Sequence, residues 1–90
     1  MAALADRLAA VADAERRGEL LAAVDLAEQG LEEHPGATEL QYRAVLALAR
    51  AGSTEQAWRR FEEYGLGDVG TEDVLALEAR IAKDLSLIHI

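Results

Sequence analysis

Apolar residues recur at spacings of three and four along most of the 90-residue chain, which is the period of an amphipathic α-helix. Glycine, proline and polar residues interrupt this pattern and divide it into segments. The pattern predicts five helices, at about residues 4–17, 19–33, 38–51, 54–64 and 72–84. Alanine, leucine, glutamate and arginine, which are good helix formers, dominate the chain and β-branched residues are sparse, so we expect an all-α fold.

The predicted helices end at residues that favour a stop. Gly18 and Gly52 follow the first and third helices, where a glycine in the left-handed conformation commonly ends a helix. Pro35 follows the second helix and pushes the residue before it out of the helical conformation. A glycine-rich loop is predicted at 65–70. The connections within pairs are short, so sequential helices should lie antiparallel, as two hairpins followed by a single helix.

Three of the predicted helices begin beside a residue that can cap them. Thr38, Ser53 and Thr71 stand at the starts of the third, fourth and fifth helices. A hydroxyl at this position can accept a hydrogen bond from a free amide of the first turn. Gln56 lies three residues after Ser53 and completes the pattern of a capping box.

The turn residues recur with a period of about 34 residues, which is typical of a helical repeat protein. Gly18 and Gly52 have this separation, and each is followed five residues later by an alanine, Ala23 or Ala57. The glycine makes the turn between two helices, and the small alanine lets the partner helix approach closely. Pro35 has no counterpart one period later, where Val69 stands.

On these residues the chain resembles the tetratricopeptide repeat family. The resemblance places repeat one at 4–37, repeat two at 38–71 and a partial third repeat at 72–84, within one helical domain at 1–84. It implies antiparallel helical hairpins stacked as a short right-handed α-solenoid. Tyr42 and Phe61 match aromatic positions of the family in repeat two.

Three positions depart from the family's pattern. Val11 and Val45 stand where a small residue is usual, and Ala27 stands where an aromatic residue is usual. A degenerate tetratricopeptide repeat and another helical-hairpin repeat of similar length therefore both stay open.

The resemblance also implies a binding surface, because in this family the first helices of successive repeats line a groove for a peptide or partner protein. By position, the principal groove residues of this chain are Leu8, Arg16, Tyr42, Arg43, Leu46 and Arg50. The lysine and asparagine that hold a peptide's terminal carboxylate in some members are missing here. We expect Tyr42, Arg43 and Arg50 to hold an acidic or aromatic-containing peptide.

The last six residues, 85–90, interrupt the predicted helix pattern. They contain two of the three isoleucines of the chain and carry no helix stop. Their sequence equals one translated frame of a common sequencing adapter, so we interpret 85–90 as a non-native, adapter-derived tail. A genuine apolar helix end is the alternative. On the first interpretation, the natural protein continues beyond Asp84.

Composition and charge narrow the classes of partner. The formal net charge is −8, whereas nucleic acids and anionic membranes require a basic surface. Neither is expected as a partner. The chain has no cysteine, and its first residues lack the pattern of a signal peptide, so a cytoplasmic location fits.

The side chains that could carry chemistry lack the neighbours that catalysis needs. His34 precedes Pro35 and is predicted to be a solvated turn residue. The carboxylate pairs at 32–33 and 62–63 are predicted on solvated helix faces, because the chain has no Glu-x-x-His pair that would support a di-metal site. Ser53 has no triad context, and 65–70 has no lysine of a phosphate-binding loop. We therefore expect no enzyme activity, no metal and no cofactor.

The remaining polar and aromatic clusters have structural interpretations. Trp58, Phe61 and Tyr64 share one face of the fourth helix and are predicted to pack between hairpins rather than to form a ligand box. The arginine pairs at 16–17 and 59–60 are predicted to bind nearby acidic residues at helix ends.

The sequence thus favours a protein-interaction scaffold, as part of a larger regulatory protein of bacterial type. The segment 77–84 shows a weak resemblance to repeat regions of large bacterial regulatory proteins. Two alternatives stay open: the repeat region of a multidomain signalling enzyme whose catalytic domain lies elsewhere, and a freestanding oligomerising helical bundle. We also expect self-association, through Leu75, Leu77 and Ile81 partly exposed on the fifth helix.

Overall fold

The computed structural model describes residues 2–88 and is all-helical over this range. Five α-helices follow one another: α1, Leu4–Arg16; α2, Leu20–Glu33; α3, Thr38–Arg50; α4, Thr54–Glu63; and α5, Glu72–Ile88. A short 3₁₀ turn at Leu66–Asp68 connects α4 to α5. None of the helices in this range is long and apolar enough to cross a membrane.

The repeat period of the sequence is present in the helix boundaries. The helices α1, α3 and α5 begin at Leu4, Thr38 and Glu72, so each start follows the previous one by the spacing that separates Gly18 from Gly52. The same spacing separates the starts of α2 and α4. Each helix packs against the next, and α3 also contacts both α1 and α5.

The turns within the two hairpins have the same hydrogen-bond pattern. Gly18 has φ +74° and Gly52 has φ +85°, as predicted for glycines that end a helix in the left-handed conformation. In each turn the glycine amide donates to the carbonyl three residues earlier, and the next amide donates to the carbonyl five residues before it. These two bonds define a Schellman motif, which satisfies the last carbonyls of the helix.

The core consists largely of small side chains. Its buried apolar residues include seven alanines, and among them Ala23 and Ala57 are both fully buried, as expected for positions of close helix approach. The larger buried residues include Phe61 on α4, together with Leu40, Leu48, Leu66 and Ile81 from α3, the 3₁₀ turn and α5. Small buried residues leave room for neighbouring helices to pack closely.

Gly30 lies at a close approach of three helices. It lies inside α2, where an added β-carbon would stand 2.8 Å from Leu40 Cδ1 on α3 and 3.3 Å from Arg7 Cβ on α1. The sequence pattern did not single out this glycine. Its lack of a side chain allows α1, α2 and α3 to meet.

Two of the three predicted caps differ in the structure. Ala37, not Thr38, occupies the N-cap of α3, because the turn at Pro35–Gly36 leaves Ala37 extended and its carbonyl accepts from Gln41. Ser53 occupies the N-cap of α4 but makes no capping hydrogen bond, so the predicted capping box with Gln56 is wrong. Thr71 confirms its prediction, since its Oγ1 accepts from the amide of Val74 at 3.3 Å.

The C-terminal end of α5 also differs from its prediction. The helix continues through 85–88, where the sequence pattern had predicted an interruption at Asp84. Leu85 follows Ile81 by one helical turn and packs against the core, which favours continuation of the helix. The origin of the tail stays a prediction, and residues 89–90 lie outside the described range.

Candidate functional site

The predicted groove residues lie on α1 and α3, but the structure brings only two of them into a hollow. Tyr42 and Leu46 are half-buried on α3 and face α5 across a concave surface. Leu8 is half-buried against the core on α1, and Arg16 and Arg50 are exposed at the last positions of α1 and α3. Leu8, Arg16 and Arg50 do not line either hollow between α3 and α5.

Two adjoining hollows form what we call the α3–α5 groove. One has a volume of about 200 Å³, and the other, toward the start of both helices, about 360 Å³. Tyr42 and Asp73 line both hollows. The smaller hollow is completed by Leu46, Ala76, Leu77 and Arg80, and the larger by Thr38, Glu39, Val69, Thr71 and Val74.

The residues on the α5 side of this groove were not predicted from the sequence, although the repeat spacing indicates them. Asp73 and Arg80 lie one repeat period after Glu39 and Leu46, which line the α3 side. The groove positions were carried onto the first two repeats only. Extending the same spacing from α3 to α5, the helix of the partial third repeat, indicates both α5 residues.

Tyr42 keeps its proton over the physiological range. Burial raises the pKa of the Tyr42 hydroxyl, and the negative charge of Asp73 raises it further, while Arg43 opposes them. The phenol is therefore a neutral group that can donate a hydrogen bond at the boundary between the two hollows.

The Arg43 side chain is less available to a ligand than the sequence predicts, because it already pairs with two carboxylates. Its Nε donates to Glu39 on the same helix and its Nη1 donates to Glu15 on α1, both at 3.0 Å. Burial alone would lower the pKa of Arg43, but these two carboxylates raise it, so the guanidinium stays charged. Because two carboxylates already balance this charge, Arg43 is a structural cation between α1 and α3.

His34 does not behave as a solvated turn residue, which corrects a second expectation about chemistry. Its side chain is half-buried, with Nε2 3.0 Å from the carbonyl oxygen of Ala2. Beside it, the Glu33 carboxylate forms an ion pair with Arg7 and accepts from the Ala2 amide at 2.9 Å. These contacts hold the start of α1 against the end of α2.

Carboxylates and arginines at the helix ends mostly pair locally. Arg16 and Arg17 both bind Asp13, as predicted for the first pair. In the second pair, Arg60 binds Glu63 on its own helix and lies 3.6 Å from Glu28 on α2. Over residues 2–88, no group of three or more histidine, cysteine or acidic side chains is placed to hold a metal ion.

Only one of the three apolar residues predicted to be exposed on α5 lies at the surface. Leu75 is 52% exposed, but Leu77 and Ile81 are buried against the core. The predicted exposure is wrong for Leu77 and Ile81, because these residues and Val74 form the buried stripe of the helix. Of the three residues from which self-association was expected, only Leu75 is exposed, while Leu87, further along α5, is 62% exposed.

The three aromatic residues at and just after α4, Trp58, Phe61 and Tyr64, all contact the core, but only Phe61 is fully buried. Phe61 is 2% exposed, and Trp58 and Tyr64 are half-buried against the core. The rings of Trp58 and Phe61 stack with centroids 5.5 Å apart and an angle of 7° between their planes.

Comparison of the chain with protein-family models, with curated proteins and with solved structures gives no significant match. The resemblance to tetratricopeptide repeats therefore stays a prediction from the residues that carry it.

Proposed function

We propose that this protein is a protein-interaction scaffold that holds a peptide segment of a partner in the α3–α5 groove. The observation that carries the proposal is the position of Tyr42, whose half-buried side chain lines both adjoining hollows between α3 and α5. Tyrosine is enriched at interaction hot spots, because it offers a large apolar face together with a hydroxyl donor.

The hollows favour a peptide with an apolar or aromatic anchor residue. Each has the volume of one or a few side chains, and Leu46, Leu77 and Val74 supply apolar walls. Glu39, Asp73 and Arg80 add charges at the rim, where they can select the residues that flank the anchor. The acidic ligand expected from Arg43 is not part of this proposal, because Arg43 is already paired.

The proposal concerns binding and includes no catalytic step. As a scaffold, the chain would serve as the interaction region of a larger regulatory protein. We include a cytoplasmic location in the proposal, which a cysteine-free composition permits.

Selection from a displayed peptide library, followed by anisotropy measurements on the selected peptides, tests this function. We expect the peptides to share an apolar or aromatic residue that they need for binding. Tyr42→Ala should weaken binding at least tenfold, which corresponds to about 1.4 kcal/mol. Asp73→Lys should weaken the binding of peptides that carry a basic residue beside the anchor and strengthen the binding of peptides that carry an acidic one there.

Glu72→Lys is the matched control, because Glu72 stands next to Asp73 in the first turn of α5 but does not line the groove. It should leave binding unchanged. Circular dichroism melting of each variant separates loss of binding from loss of fold. Selected peptides that bind the folded Tyr42→Ala variant with unchanged affinity would refute the proposal, as would a library that yields none.

A further inference from the structure

A second cavity lies on the other side of α5, between α4 and the 3₁₀ turn. Its volume is about 270 Å³, and its lining residues are Trp58, Phe61, Glu62, Gly65, Gly67, Asp68 and Glu78. It shares no residue with the α3–α5 groove. We call it the Trp58 cavity.

The aromatic part of this cavity is a fixed structure. Phe61 is anchored in the core, and the indole of Trp58 stacks on it nearly in parallel. Parallel stacking orients the electron-rich faces of both rings in the same direction. The face of a tryptophan ring is the most favourable aromatic surface for a cation.

Three carboxylates from three different elements surround the aromatic wall. Glu62 comes from α4, Asp68 from the 3₁₀ turn and Glu78 from α5. Among the described residues, no arginine, lysine or histidine lies within ion-pair distance of any of the three. Glu63, next to Glu62, is by contrast paired with Arg60. The cavity thus combines an aromatic face with negative charge that the chain itself does not balance.

Two glycines, Gly65 and Gly67, contribute backbone to the lining of the cavity. Gly65 has φ +67°, a conformation that favours glycine, and an added β-carbon at Gly67 would stand 3.7 Å from Phe61 Cε1. Gly67 therefore lies directly beside the edge of the Phe61 ring, with no side chain between them.

We propose that the Trp58 cavity binds an organic cation, namely the guanidinium or ammonium group of an arginine or lysine side chain on a partner protein. Such a group can lie against the indole face while its N–H groups donate to carboxylates at the rim. A hard metal ion is less suitable, because calcium needs six to eight oxygen ligands and an aromatic wall supplies none. The net charge of −8 favours approach of basic partners.

Trp58 is the sole tryptophan of the chain, so its fluorescence reports on this cavity directly. The experiment titrates the full chain with N-acetyl-arginine amide and with N-acetyl-lysine amide at constant ionic strength. N-acetyl-citrulline amide, which has nearly the shape of arginine but no charge, is the matched ligand control. We expect saturable quenching by the two cations and none by citrulline.

Glu62→Gln and Glu78→Gln should each weaken cation binding at least threefold, because each removes one rim charge. Glu55→Gln is the matched control, since Glu55 is exposed on α4 and lies outside the cavity. Equal quenching by arginine and citrulline would overturn the proposal, and so would equal effects of Glu62→Gln and Glu55→Gln. Because the groove variants at Tyr42 and Asp73 should leave this titration unchanged, the proposed function and this inference can fail independently.

Discussion

The Arg43 guanidinium on α3 donates a 3.0 Å hydrogen bond to the Glu15 carboxylate on α1, and this pair joins the first helices of the two hairpins. The Glu15 side chain is only 12% exposed, and its second oxygen, Oε1, has no hydrogen-bond partner among the described residues. Arg43 is therefore the principal compensation for a largely buried negative charge.

Replacing Arg43 alone should lower the free energy of unfolding more than replacing both Arg43 and Glu15. Arg43→Met leaves Glu15 buried without its cation, so we expect the free energy of unfolding to fall by about 1–3 kcal/mol. Arg43→Met combined with Glu15→Gln should recover part of this loss in urea denaturation. Arg16→Met, at an exposed ion pair, should change stability by less than about 0.5 kcal/mol. Additive losses in the double variant would show that the two residues are not coupled.

Gly30→Ala should destabilise the protein although alanine favours helices. The substitution gains about 1 kcal/mol of helix propensity, but its β-carbon meets the fully buried Leu40 at 2.8 Å and overpacks the core by about 1–3 kcal/mol. We expect a net loss of about 1 kcal/mol by thermal or urea unfolding. Gly36→Ala adds the same methyl group where no atom lies within 4 Å, and it should be nearly neutral. A more stable Gly30→Ala variant would contradict this account of the packing.

The Glu33 carboxylate should make stability depend on acid pH. Burial alone would raise the pKa of Glu33, but the hydrogen bonds from Arg7 and Ala2 and the charge of Arg7 hold it below its ordinary value of 4.5. A lowered folded-state pKa stabilises the protein above pH 4.5, and this contribution disappears as the pH falls through the folded-state value. The stability difference between wild type and Glu33→Gln should therefore be largest near pH 6 and shrink below pH 4.5.

Glu32→Gln is the control for this titration, because Glu32 is the exposed neighbour of Glu33 and forms no ion pair in the described structure. Urea unfolding of the three proteins at several pH values provides the measurement. A difference between wild type and Glu33→Gln that stays constant from pH 6 to pH 3 would exclude a role for the Arg7–Glu33 contact.

The helix caps provide a paired test of local structure. Thr71→Ala removes the hydroxyl that accepts from the Val74 amide, and we expect a loss of about 1 kcal/mol. Ser53→Ala removes a hydroxyl that makes no capping bond, so the loss should stay below about 0.5 kcal/mol. Equal losses from the two variants, measured by thermal unfolding, would mean that Ser53 caps α4 in solution.

Local pattern predicted the helices well, because their signals are contained in a few neighbouring residues. Gly18 and Gly52 adopt the left-handed conformation that their positions predicted, and the helix starts repeat with the predicted spacing. The caps were less predictable. Whether Ser53 or Thr38 bonds an amide depends on the direction in which the preceding turn delivers the chain, and the residue type alone does not define that direction.

The candidate sites required information about neighbours in space. Arg43 had the right position for a ligand contact, but its pairing with Glu15 depends on how α1 packs against α3. Leu77 and Ile81 were expected at the surface because the rotation of α5 about its axis was unknown. The Trp58 cavity was missed for the same reason, since Glu78 reaches it from another helix.

The alanine-rich core has a consequence for how this sequence can vary during evolution. At positions such as Ala23, Ala27 and Ala57, a larger residue costs packing and a glycine costs helix propensity. These positions are therefore constrained from both directions. Leu40, Leu48 and Ile81 can exchange with residues of similar volume at lower cost. Among the buried positions, natural variants of this chain should therefore preserve the alanines and differ most at the large apolar residues.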